Sequence, residues 1–140
     1  MRWLLIFGWS ALITLFAALS GPSAMACSFT PEAGTWVNAS AKKKELAAVE
    51  IKTHCIQGQK VIYIRSFVKC APRNCKWART PALRLDSGEL YAIHKMFSAD
   101  RHVKVEKATQ DQLIVHLWSI YRDNRGDDEG WKIYRLKREQ

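Results

Sequence analysis

Acidic residues are scarce in this 140-residue sequence. There are 13 Asp and Glu against 22 Lys and Arg, and the formal net charge is +9. Glycine and proline are also few, at 7 and 4 residues, which excludes collagen-like and low-complexity chains. The hydrophobic share is 48% and the charged share 25%, which argues against a disordered chain and against a polytopic membrane protein. The length therefore predicts one basic, folded domain.

Charge is absent from residues 3–19, an apolar run that follows a single positive residue, Arg2. The run is broken at residues 20–23, and Ala24-Met25-Ala26 then offers the small residues that a signal peptidase requires. We predict a signal peptide at residues 1–26 and a secreted or periplasmic domain at residues 27–140. Two alternatives remain open: an uncleaved membrane anchor, and a lipoprotein acylated on the first mature residue.

Cysteines number only four, and all of them follow the predicted cleavage site. An even number in an exported domain favours two disulfides, formed in an oxidising compartment. Cys70 and Cys75 enclose a tight loop that contains a proline and an asparagine, so this pair is expected to be bonded and to leave Cys27 for Cys55. Zinc would need a reducing compartment and better ligand spacing, so no metal and no other cofactor is predicted.

Long helical patterns are absent after residue 26. Short apolar or alternating runs are separated there by polar turns, at residues 57–59, 98–100, 110–111 and 123–130. This pattern predicts strands at residues 35–39, 46–55, 61–69, 90–97, 102–108, 113–122 and 131–137, with room for a short extra strand within 70–85.

The expected fold class is therefore all-β: a single antiparallel meander of seven or eight strands. Alternation is clearest at 47–55 and 102–106, where one face is apolar and the other charged. Residues 61–68 and 113–121 are apolar on both faces. Closure into a small up-and-down barrel would leave no exposed sheet edge, whereas a two-sheet sandwich would solve that problem only in part.

Three segments resemble a family of small secreted bacterial modules. They are Gly34-Thr35-Trp36-Val37-Asn38, Lys69-Cys70-x-Pro72-x-x-Cys75-x-Trp77 and Tyr121-x-Asp123-Asn124-x-Gly126. The family pattern is G-T-W-x-N, then G-K-C-x-P-x-x-C-x-W-G, then F-x-D-x-S-G. This chain departs from it at Val68, Lys76, Ala78 and Arg125. That family has no established activity, so the resemblance implies a fold rather than a function.

The same opening is similar to the G-x-W of the calycins, the lipocalin and avidin-like barrels. In that superfamily the tryptophan of the first strand closes one end of the barrel, and a basic residue of the last strand packs across its ring. The resemblance implies Trp36 in the first role and Arg135 or Arg138 in the second. A guanidinium over an indole is a favourable cation–π pair.

Catalytic patterns are missing. No serine or cysteine has a recognisable nucleophile setting, and the four histidines are dispersed, at His54, His94, His102 and His116. We expect each histidine to be a solvated or hydrogen-bonded strand residue, and we predict no catalytic residue and no enzyme activity. The acidic loop at 123–130 is expected to be solvated, because Arg125 falls where a calcium site would need an oxygen ligand.

These features predict an exported, non-enzymatic binding module, a disulfide-braced barrel that holds a small apolar or amphipathic ligand. The residues expected to line or close its cavity are Trp36, Trp77, Trp118 and Tyr121. The alternative is a basic envelope-associated protein that binds an anionic glycan, a lipid headgroup or an acidic protein partner, also as an inhibitor. Residues expected to contact such an anion are Arg65, Lys69, Arg73, Lys76 and Arg79.

The expected partner is thus a small ligand of unknown identity or an anionic component of the cell envelope. An exported basic protein meets envelope phosphates and acidic glycans rather than nucleic acid, although the same long-range field attracts both. Nucleic acid is for that reason not an expected partner. Membrane contact is expected only through the signal segment, if it stays uncleaved.

Overall fold

The computed structural model describes residues 27–123 and 129–140, residue 129 through its backbone alone. The predicted signal peptide, residues 1–26, and the middle of the predicted acidic loop, residues 124–128, lie outside the described residues. None of the residues described forms a helix long and apolar enough to cross a membrane.

All regular secondary structure in the described part of the chain is β-strand. Its strands are β1 (Gly34–Val37), β2 (Leu46–Ile56), β3 (Gln59–Val68), β4 (Cys75–Lys76), β5 (Thr80–Arg84), β6 (Leu90–Lys95), β7 (Ala99–Lys107), β8 (Gln112–Tyr121) and β9 (Glu129–Arg138). Each strand predicted from the hydrophobic pattern has a counterpart among these, with ends that differ by a few residues.

The strands close into an antiparallel up-and-down barrel. Strand β1 pairs with both β2 and β9, and the order continues through β8, β7, β6, β5 and β3 back to β2. Strand β4 is an addition to β3, where Lys76 pairs with Phe67 and Cys75 with Val68. The predicted fold class is confirmed. The eight strands other than β4 form a closed ring, which leaves no long sheet edge exposed among the residues described.

Alternation along the strands places the core inside the barrel. In β7, Val103 and Val105 are fully buried, whereas the residue on either side of Val103 lies on the outer face. The fully buried aliphatic residues of the other strands include Val49, Ile51, Ile64, Leu90, Leu113, Val115 and Leu136. They form one continuous cluster, which is the hydrophobic core.

Residues 70–85 differ from the prediction, because they hold two strands rather than one short one. Strand β5 is one of the eight strands of the barrel ring, but it pairs with β3 over only three residues and with β6 over only two. Pro81 lies in this strand and lacks the N–H that a ladder uses, which is why the sequence pattern did not favour a strand here.

The predicted turn at 98–100 is also wrong in its extent. Strand β7 begins at Ala99, and its backbone carbonyl accepts a hydrogen bond from the Met96 amide at 3.0 Å. The connection from β6 is therefore a tight turn, and Arg101 lies within the barrel wall.

The barrel has two different ends. One, called here the closed end, carries the β2–β3, β5–β6 and β7–β8 turns together with residues 27–33. The other, called the open end, carries the β1–β2, β3–β5 and β6–β7 connections, together with the last residue of β8 and the first residue of β9. The disulfides pair Cys27 with Cys55 at the closed end and Cys70 with Cys75 at the open end, which are the pairs expected from the sequence.

Candidate functional site

Trp36 fills the closed end of the barrel and has no exposed surface. Its indole Nε1 donates a hydrogen bond to the Glu32 carbonyl at 2.8 Å. The guanidinium carbon of Arg138, on the last strand, lies 4.2 Å from the centre of the Trp36 ring. Of the two basic residues expected in that position Arg138 is the one that stacks, whereas Arg135 is exposed on the outer face.

An internal ion pair completes this end. Both carboxylate oxygens of Glu32 accept hydrogen bonds from Arg84, at 3.0 and 2.8 Å. Burial opposes ionisation of Glu32, but the hydrogen bond and the charge of Arg84 outweigh it and hold the pKa of this carboxyl below its usual range. The charge of Glu32 is therefore neutralised within the closed end.

The open end contains a cavity of about 480 Å³. This volume is within the range of small-molecule sites, about 300–1,000 Å³. Apolar and aromatic side chains form part of the wall: Val68, Trp77, Leu117, Tyr121 and Tyr134. Polar and cationic side chains form another part: Lys44, Arg101, Ser119 and Lys132.

Strand register explains why cationic residues face the interior. Arg101 precedes the buried Val103 by two residues, so both side chains point inward. Its cross-strand partner in β8 is Ser119, and Leu117 is paired with Lys132 of β9, so these residues share the inner face. The pattern that fills the middle of the barrel with aliphatic residues thus places polar groups at its open end.

Arg101 is held in place by the cavity wall. Its Nη1 donates hydrogen bonds to the Ser119 hydroxyl and, at 3.2 Å, to the Tyr121 hydroxyl. The guanidinium carbon lies 4.9 Å from the centre of the Tyr121 ring and 5.9 Å from that of Trp77. Cation–π contact with two rings and two hydrogen bonds orient the charge within the cavity.

His94 lies beneath this wall, with only 2% of its surface exposed. Its Nδ1 donates to the Ala78 carbonyl at 3.1 Å, and its Nε2 accepts from the Ser66 hydroxyl at 3.1 Å. Burial lowers the pKa of His94, and the hydrogen bond to Ala78 opposes the shift only in part, so the imidazole is neutral near pH 7.

The pair of His94 and Ser66 supports Trp77, whose ring meets the imidazole edge-to-face at 5.2 Å between centres. Ser66 has no exposed surface, so the pair is a packing element of the wall. His94 was expected to be either a solvated or a hydrogen-bonded strand residue, and in the structure it is hydrogen-bonded. Its inward direction could have been predicted, since it continues the alternation of Leu90 and Ala92.

The four aromatic residues predicted for the cavity are not all brought together. Trp77 and Tyr121 line it. Trp36 fills the opposite end, and Trp118 lies on the outer face of β8 because it alternates with the inward-facing Leu117 and Ser119. The Trp118 ring packs there between His102 and Trp131, at 5.7 and 5.5 Å between ring centres.

The five basic residues predicted to contact an anion lie on and beside strands β3 and β4. Lys69, Arg73 and Lys76 are exposed there. Arg79 forms an ion pair of 3.5 Å with Glu50, and Arg65 is the cross-strand partner of the same carboxylate. The carboxylate of Glu50 therefore lies among these basic residues and compensates part of their charge.

Glu50 also forms an ion pair with Lys52, with 3.0 Å between Oε1 of Glu50 and Nζ of Lys52. Burial opposes ionisation of Glu50. The hydrogen bond from Lys52 and the charges of Lys52, Arg65 and Arg79 are stronger together and lower the pKa of this carboxyl. Part of the basic surface is thus compensated on the outer face.

Comparison with protein-family models, with curated proteins and with solved structures finds no match to this chain. Among the side chains that the structure describes, no group of three or more His, Cys, Asp or Glu could hold a metal ion. The candidate site is therefore the cavity itself, lined by aromatic and cationic side chains at one end of a β-barrel.

Proposed function

We propose that this protein is a non-enzymatic binding module that holds a small amphipathic ligand in the open-end cavity. The observation that carries the proposal is the asymmetry of the interior. Inside the barrel, a tryptophan and an ion pair occupy one end, whereas at the other end about 480 Å³ remains between the walls. A cavity with apolar walls and a few convergent polar groups is the usual form of a small-molecule site.

The lining favours an amphipathic ligand over a purely apolar one. Trp77, Leu117 and Tyr134 offer surface to an apolar body. A purely apolar occupant would also cover Arg101 and Ser119 and deprive them of water without supplying new partners, which is unfavourable. A ligand with one polar end would satisfy both parts of the wall.

The proposal includes export to the cell envelope or beyond it. Two disulfides are consistent with an oxidising compartment. The predicted signal peptide supplies the route, and the mature domain would be secreted or periplasmic. The stack of Arg138 on Trp36 supports a relationship to the calycin-like barrels, many of which enclose ligands.

Intrinsic tryptophan fluorescence, titrated with a panel of amphiphiles of different chain length, tests the proposal on the mature domain. We expect a saturable change in emission, because Trp77 lies in the cavity wall. Trp77→Phe should remove most of this change. Trp118→Phe is the matched control, since it removes an indole from the outer face, and it should keep the change.

A flat response across the whole panel would contradict the proposed function. A response that survives in Trp77→Phe and disappears in Trp118→Phe would move the site to the outer face of the barrel.

A further inference from the structure

We infer that the ligand is a small organic anion whose charged head, with two or more acceptor oxygens, pairs with Arg101. This inference rests on the proposed function of the cavity and names the chemical class of its ligand. The proposed function alone asks only for a polar end, which a neutral alcohol or amide would also provide.

Arg101 forms no ion pair with any carboxylate whose side chain the structure describes. Glu32, Glu50, Glu89 and Asp100 each form an ion pair, and none of these pairs includes Arg101. Its two hydrogen-bonded partners, Ser119 and Tyr121, are neutral. They fix the direction of the guanidinium but leave its positive charge uncompensated.

The Nε donor of Arg101 points to the same conclusion. It is enclosed by the protein and has no hydrogen-bond acceptor. A buried donor without an acceptor is unfavourable by about 1–3 kcal/mol, and native proteins rarely leave one in place. Because the guanidinium lines the cavity, an anion seated there could supply the acceptor after a small rotation of the side chain.

A second cationic side chain lines the cavity with Arg101. Lys44 lines the same cavity and carries a positive charge as well. His94, the cross-strand partner of Arg101, is neutral near pH 7 because it is buried. The positive charges of Arg101 and Lys44 therefore favour an anion in the cavity.

The aromatic walls place the body of such a ligand next to its head. Trp77 and Tyr121 both approach the guanidinium, so their ring faces adjoin the positive charge. A ligand whose oxygens meet Arg101 can lay its apolar part along these rings. A charged head joined directly to an apolar body fits this arrangement.

Two fluorescent probes with the same ring system separate the head group from the body. 1-Anilinonaphthalene-8-sulfonate carries an anionic head, and N-phenyl-1-naphthylamine lacks it. In the mature, disulfide-bonded domain we expect the anionic probe to bind about tenfold more tightly or better, because hydrogen bonds to charged groups are strong. Octanoate should displace it at lower concentration than octanol does.

Variants at Arg101 and at a matched surface position assign the preference. Arg101→Gln should weaken the anionic probe about ten- to hundredfold and leave the neutral probe within about twofold. Arg101→Lys, which keeps the charge but not the fork, should fall between the two. Arg135→Gln removes the same charge from the outer face of β9 and should change neither probe.

Equal binding of both probes to the unmodified domain, or an anionic preference that survives in folded Arg101→Gln, overturns the inference and leaves the proposed cavity standing. Binding of neither probe, together with a flat tryptophan response, overturns the proposed function itself. Melting temperatures check the fold of each variant. If Arg101→Gln fails to fold, the probe pair in the unmodified domain and in Arg101→Lys decides.

Discussion

The two ends of this barrel are built from similar residues for different results. At the closed end, Trp36 and Arg138 stack on one another, and Glu32 and Arg84 form an ion pair with two hydrogen bonds. At the open end, aromatic rings and an arginine again lie together, but around a cavity. The arginine there has no carboxylate partner among the side chains that the structure describes.

The difference lies in whether the polar groups are satisfied within the chain. A filled interior with paired charges gains packing and hydrogen bonds and has no place for another molecule. An unfilled interior with an uncompensated charge is less stable, but it leaves space in which a ligand can bind. The closed end is therefore expected to determine stability, and the open end to determine ligand binding. Four predictions test this division.

The largest effect is expected at Trp36. Trp36→Ala removes a fully buried ring from the core and should lower the free energy of unfolding by about 3–5 kcal/mol, measured by urea denaturation. Trp118→Ala removes a ring of the same size from the outer face and should lower it by about 1 kcal/mol. Equal losses in the two variants would show that the closed end is not the anchor of the fold.

The disulfide at the closed end should stabilise the fold more than the disulfide at the open end. Cys27–Cys55 joins residues separated by 28 positions, and Cys70–Cys75 joins residues separated by 5. A crosslink restricts the unfolded chain more when its loop is longer, so replacing both cysteines by alanine should cost about 3.5 kcal/mol at the closed end and about 2 kcal/mol at the open end. Thermal and urea unfolding of the two double variants measures this order, and a larger loss at the open end would contradict it.

Gly34→Ala tests the contact between the first strand and Arg138. Gly34 has a φ of +134°, and a β-carbon at this position would lie 2.6 Å from Nη1 of Arg138. We expect a loss of about 2–3 kcal/mol, from backbone strain and displacement of the guanidinium from Trp36. Gly88→Ala is the control: its φ is +94° with open space around it, and the loss should be about 1 kcal/mol. Similar losses in both variants would mean that Arg138 moves without cost.

The smallest effect concerns acid and the open end. Burial lowers the pKa of His94 in the folded protein from the ordinary value of 6.5, so the unfolded chain takes up this proton first as the pH falls. Stability should therefore decline below about pH 6.5, and His94→Gln should flatten that decline between pH 7.5 and 5.5. Urea midpoints across this range measure it. A decline that stays as steep in His94→Gln as in the unmodified domain would assign it to other groups.

Much of the fold could be predicted from the sequence, because one physical pattern dominates it. Alternation within β2, and the pair Val103 and Val105 in β7, identified the inward faces, and closure of the meander followed from the need to protect sheet edges. Trp36 was assigned to one end by resemblance to a known superfamily, and its stacking partner was narrowed to two arginines.

The cavity could be predicted less well, because its residues break that pattern. Arg101 lies at an inward position that hydrophobic alternation reserves for apolar residues, and its neighbours were interpreted as a turn. Continuing the alternation of Val103 back by two residues would have placed Arg101 inside. Trp118 shows the opposite case, since a large aromatic residue on the outer face is indistinguishable by composition from one that lines a cavity.

The ring pair on the outer face has a spectroscopic consequence. Trp118 and Trp131 lie 5.5 Å apart between ring centres, with planes inclined by 53°. Two indoles that are close and not parallel share their electronic excitation, which gives a paired positive and negative band in the ultraviolet circular dichroism spectrum. Because this pair joins β8 to β9 on the side away from the cavity, the signal provides an internal reference for an intact wall, independent of whatever occupies the mouth.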